Sequence, residues 1–107
     1  MTTESGKGDI LLSGFKLDPA EKAIVDNLIK NYQHKIEEKI GFKEIKLRMK
    51  KSQKGKIFLH EVQGELITDK VFSSKAEDYN LFSALSEVFE NLMKEAEHNQ
   101  RTARQKK

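Results

Sequence analysis

The chain has 107 residues, no cysteine, 36% hydrophobic and 35% charged residues, and a formal net charge of +3. That length fits one domain with a thin core under a charged surface. The composition excludes disulfides, thiolate metal sites and thiol nucleophiles, and an intracellular, cytoplasmic protein is its simplest reading. No apolar run approaches the ~20 residues that span a bilayer, and the opening MTTESGKGD lacks the apolar core of a signal peptide. A basic balance permits a nucleic-acid partner, but the distribution of charge decides whether one is implied.

Residues 1–8 are small and polar and read as a flexible N-terminus, and 9–98 as the folded domain. Asp9–Lys16 reads as a short strand carrying Ile10, Leu12 and Phe15. Leu17-Asp18-Pro19-Ala20-Glu21 starts a helix: Asp18 is the N-cap, Pro19 sits where its missing N–H costs nothing, and Glu21 completes a capping box. The helix runs to about Ile40, with Gly41 as its stop. Val25, Ile29, Tyr32 and Ile36 form its apolar stripe, which Ile24, Leu28 and Ile40 widen.

Phe42–Lys51 alternates, with Ile45, Leu47 and Met49 on one side and Glu44, Lys46, Arg48 and Lys50 on the other. That is a half-buried strand with a cationic outer face. Ser52–Gly55 reads as a turn, and Lys56–Ile67 as a longer strand with Phe58, His60, Val62, Gly64 and Leu66 on one side. Thr68-Asp69-Lys70 reverses the chain into a last strand, Val71–Ala76. Asp78 and Asn80 are candidate N-caps for a second helix. Its stripe is Phe82, Leu85, Phe89, Leu92, Met93 and Ala96, and it fades near His98. Residues 99–107 are polar and basic and read as a flexible tail. The order β-α-β-β-β-α predicts an α+β fold, a four-stranded sheet with two helices packed on one face.

The chemistry-bearing residues point away from catalysis. His34, His60 and His98 are scattered, and no cluster has metal-ligand spacing. His60 reads as a hydrogen-bonded structural histidine. Glu61, Glu65 and Glu77 are strand carboxylates without a partner arrangement for acid–base work. No Gly-rich phosphate loop or nucleophile elbow is present, so neither an enzyme nor a cofactor is expected. The cations are more informative. Lys43, Lys46, Arg48, Lys50, Lys51, Lys54 and Lys56 form a basic strand-turn suited to phosphates, although lysines on an exposed strand also guard a sheet against edge-to-edge pairing. Arg101 and Arg104, with Lys106 and Lys107, could track an RNA backbone or simply solubilise the terminus. The first helix carries mixed charges, as a solvated face does; Lys22 and Lys30 are its candidates for RNA.

The topology is shared with double-stranded-RNA-binding-like folds. It more closely resembles the ribosome hibernation-promoting factor / protein Y family over roughly Ile10 to His98. Ala76-Glu77, Asp78–Asn80, Leu81-Phe82-Ser83-Ala84-Leu85 and Leu92 resemble the family's strand end, acidic turn and D-M-Y-x-A-I…L helix start, with Asn80, Leu81 and Phe82 at the Asp, Met and Tyr positions. Asp18-Pro19-Ala20 looks like the family's T-P-A helix entry. The chain departs from the family's basic positions at Leu28, Asn31 and Asn91, while Lys22 and Lys94 keep the charge. The resemblance implies a divergent member of the short form. It implies a stress-response inhibitor of translation that binds small-subunit ribosomal RNA and blocks the decoding and tRNA sites. The expected RNA-binding residues are Lys22, Lys30, Lys43, Lys46, Arg48, Lys50, Lys51, Lys94, Arg101 and Arg104. No membrane partner is expected. The alternatives are a regulatory module or homodimer of the same fold, or a general binder of double-stranded RNA.

Overall fold

The computed structural model describes residues 9–105, with side chains for 9–99. The elements follow the expected order: β1 (Asp9–Ser13), α1 (Pro19–Lys39), β2 (Glu44–Lys54), β3 (Ile57–Ile67), β4 (Val71–Asp78) and α2 (Leu81–Gln105). They form one α+β unit with a four-stranded sheet ordered β1-β2-β3-β4. β1 pairs parallel with β2, across the α1 crossover. The remaining pairs are antiparallel, because short turns can join only antiparallel strands.

Both helix starts follow from local chemistry. The Asp18 side chain accepts from the Glu21 N–H at 2.8 Å, and Glu21 Oε1 accepts from the Asp18 N–H at 3.2 Å, so each satisfies an orphan donor. At α2, Asn80 Oδ1 accepts from the Ser83 N–H at 3.0 Å, and Asp78 Oδ1 accepts from the Asn80 N–H at 2.8 Å. Asn80 is therefore the cap, and Asp78 braces it.

The core lies between one face of the sheet and the two helices. Ile45, Leu47 and Met49 from β2, Val62 and Leu66 from β3, and Ala76 from β4 are buried against α2 and α1. Gly64 sits among them in β3. A Cβ there would lie 2.6 Å from Val88 Cγ1 and 3.2 Å from both Leu47 Cδ2 and Leu92 Cδ1, so the missing side chain lets α2 settle onto the sheet. α1 packs beside α2, where the Tyr32 and Phe89 rings stack with centroids 4.8 Å apart.

Several expectations need correction. α2 buries Leu81, Ala84 and Val88 in addition to the expected stripe, whereas Phe82 is only partly buried; the approach allowed by Gly64 brings a second row into the core. Ile24 is 48% exposed, because α1 lies at the flank of α2 and buries a narrower face. The β2–β3 turn falls at Gly55-Lys56, since Lys54 pairs with Ile57. Two-residue hairpin loops favour positive φ at their first residue, and Gly55 has φ +66°. β1 ends at Ser13, before the expected Lys16, and β4 extends to Asp78. α2 does not fade near His98 but continues to Gln105. Its last stretch, RTARQ, holds no Gly or Pro, and Arg, Ala and Gln favour the helix. Residues 1–8 lie outside the described residues, as do Lys106, Lys107 and the side chains of Arg101 and Arg104.

Gly64→Ala should lower stability by about 1–3 kcal/mol through overpacking beneath α2. Urea unfolding measures this, and an unchanged midpoint would show that Val88 yields without cost.

Candidate nucleic-acid interface

A pleated sheet with one face in the core presents its alternate residues to solvent. Here those are Lys46, Arg48 and Lys50 on β2, all exposed. The register sets their neighbours. Leu11, Lys46, Glu65 and Ser73 share one row across the sheet, and Ser13, Arg48, Gln63 and Lys75 the next. Lys50, Glu61 and Glu77 make the third. This face holds an open concavity of about 740 Å³ whose lining includes Lys46, Arg48, Gln63, Glu65 and Lys75. Apolar surface contributes to its lining as well, with Leu11, at 49% exposure, offered at its rim.

Carboxylates on the same face limit its positive potential. Lys75 Nζ lies 2.9 Å from Glu61 Oε2, a diagonal cross-strand pair. The Lys75 hydrogen bond holds the Glu61 carboxyl below its ordinary range, and the same bond raises the Lys75 ammonium. Lys46 stands opposite Glu65 and Lys50 opposite Glu61.

Beyond this face the balance changes. β1 stops beside Arg48 and β4 stops beside His60. Residues 52–59 therefore pair only with one another, as a two-stranded arm. Lys54 and Lys56 project from it and Lys51 stands at its base, all exposed, and no acid occurs between Lys50 and His60. The arm also exposes Ile57 (54%) and Phe58 (45%). Lys51 Nζ lies 5.2 Å from the Phe58 ring centroid, within cation–π range. At the arm's base, His60 Nδ1 lies 3.0 Å from the Tyr79 carbonyl oxygen. A carbonyl only accepts, so Nδ1 carries the proton, and His60 is the structural histidine expected.

The structure brings Lys46, Arg48 and Lys50 together on one face of β2; Lys51 follows them on the other face, over Phe58, and the remaining candidates lie apart. Lys22 lies on α1, on the helical side of the sheet, and pairs with Asp26 at 3.2 Å. Lys30 is exposed on the same helix. Lys43 precedes β2 at the end opposite the arm, where its N–H donates to the Ile67 carbonyl. Lys94 lines a small groove between α2 and β4 with Ser73, Ser74, Asn91, Glu95 and His98. Arg101 and Arg104 fall on the last turns of α2. Lys75 escaped the sequence reading, because only the register shows that it joins the Arg48 row. Phe58 lies on the core side of its strand by alternation, yet it is 45% exposed and outside the packed core. Among the described residues, no group of His, Asp and Glu could hold a metal ion, and no helix is long and apolar enough to cross a membrane.

No protein-family model and no curated protein matches the sequence. Solved structures do match the fold. A ribosomal subunit interface protein from Coxiella burnetii superposes with a TM-score of 0.62 at 10% identity, over 87% of this chain and 98% of that one. The protein Y N-terminal domain from Thermus thermophilus superposes with a TM-score of 0.52 at 13% identity, over 86% of this chain and 97% of that one. The fold of this chain is thus the fold of the family that its helix starts and strand ends resemble.

In an NMR titration, the Glu61 carboxyl should ionise below the ordinary glutamate range, and Lys75→Gln should move it back up. The folded-state value is lowered, so the pair's contribution to stability is present above the unfolded glutamate range. It is lost as pH falls through the Glu61 folded value. A Glu61 signal that ignores the Lys75 substitution would mean that the pair does not persist in solution.

Proposed function

We propose that this protein associates with the small ribosomal subunit, binds ribosomal RNA there and silences translation by occupying the decoding and tRNA sites. The observation that carries the reading is the fold shared with a ribosomal subunit interface protein and a protein Y domain over nearly the whole of those chains. The exposed cationic row on β2 supports it. The mechanism is occupancy without a chemical step. Lys46, Arg48 and Lys50 neutralise phosphates and release counterions, Arg48 adds bidentate hydrogen bonds, and the folded body excludes other ligands by its volume. Such a protein works in the cytoplasm, where ribosomes are.

One observation favours a second reading, a homodimer. β4 lies at the edge of the sheet, and Val71 on it is 60% exposed; an open edge can template another strand.

Sucrose-gradient sedimentation separates the two. The protein should travel with small subunits at low salt and leave them as salt rises. Lys46→Glu, Arg48→Glu and Lys50→Glu combined should abolish the association. Wild-type sedimentation as a free dimer, indifferent to subunits, would favour the second reading.

A further inference from the structure

We infer that the β2–β3 arm is an insertion element for unpaired RNA, binding phosphates through Lys51, Lys54 and Lys56 and stacking a base on Phe58. This deepens the RNA-binding reading above and rests on it. Four observations converge on the arm. Its residues 52–59 have no third strand, and an isolated two-stranded ribbon gains little by itself in water. No carboxylate lies on the arm, where Lys54 and Lys56 project and Lys51 stands at the base, whereas on the sheet face Glu61 holds Lys75 at 2.9 Å. Its large side chains lie in solvent, with Phe58 at 45% exposure and Ile57 at 54%. Finally, Lys51 stands 5.2 Å from the Phe58 ring centroid, so a charge and a ring share one side of the ribbon, while Lys54, paired with Ile57, offers a charge on the other.

Clustered cations with an interleaved ring form the pattern that binds single strands: the charges hold the backbone while the ring takes a base. A duplex keeps its bases stacked and offers the ring nothing. The occupant is therefore unpaired RNA, as found in loops, bulges and strand ends.

Binding of the full chain to an unpaired RNA oligonucleotide and to a duplex of equal length, across a salt series, tests this. The substituted side chains are exposed, and circular dichroism checks that each variant is folded. Wild type should prefer the unpaired strand. Lys51→Gln, Lys54→Gln and Lys56→Gln combined should flatten the log–log salt slope by about 2, from roughly 0.7 per lost phosphate contact on a single strand. Phe58→Ala should weaken unpaired binding by about five- to a hundred-fold at unchanged slope, and Phe58→Leu, which keeps apolar area without a ring, should not restore it. Equal affinity for duplex, wild-type behaviour of both sets of variants, or binding to anionic lipid vesicles in place of RNA would each overturn the inference. Failure of wild type to sediment with small subunits would instead overturn the ribosomal reading, and arm-dependent binding to the oligonucleotide would still stand.

Discussion

The close approach of α2 to the sheet at Gly64 is the constraint on which the rest of the structure depends. A side chain there would meet Val88, Leu47 and Leu92 at once. Its absence lets two rows of α2 enter the core, so a lean sequence still fills its interior. With α2 seated, Phe89 is placed to stack on Tyr32, whose hydroxyl donates to Glu90 Oε2 at 2.8 Å. Burial and the Glu90 hydrogen bond together raise the Tyr32 phenol, which keeps it a neutral donor between the helices. α1 is thereby tied to α2, and the opposite face of the sheet stays open.

What the sequence made legible was whatever depends on near neighbours in the chain. The Asp18 cap, the choice of caps at Asp78 and Asn80, the alternation of β2 and the Gly41 stop all rest on contacts within a few residues, and the structure keeps each within a residue or so of where the chain signals it, with Asn80 taking the cap. What it hid depends on the third dimension. Ala84 and Val88 fall outside the stripe that the spacing picks out, and enter the core only because Gly64 lies beneath α2. Phe58 obeys the period of its strand and yet lies outside the packed core. Lys75 joins Arg48 only through a register that spans β2, β3 and β4.

The candidate interface shows the same division. A run of basic residues from Lys43 to Lys56 reads as one surface in the sequence. The fold divides it into three environments: a free end beside Ile67, a sheet face where carboxylates stand across from the lysines, and an arm where none do. Charge counted along the chain overstates what the sheet face offers an anion, because Glu61 and Glu65 become visible as partners only in the register. Lys22 and Lys30 share a sign with the β2 row but stand on the other side of the molecule, so one flat surface cannot engage both groups.

β2 runs from the core to the tip of the arm as one strand. Ile45, Leu47 and Met49 lie under the helices, Lys51 to Lys54 stand in solvent, and the pairing with β3 is continuous throughout. The strand contains no Gly or Pro between Glu44 and Lys54, so it has no ready hinge. The arm projects on the order of 10 Å beyond its neighbours. Mechanically it is a lever whose long end is clamped beneath α2. Torque applied at Gly55 passes along the strand to Met49 and Leu47, and so to the side chains that meet above Gly64.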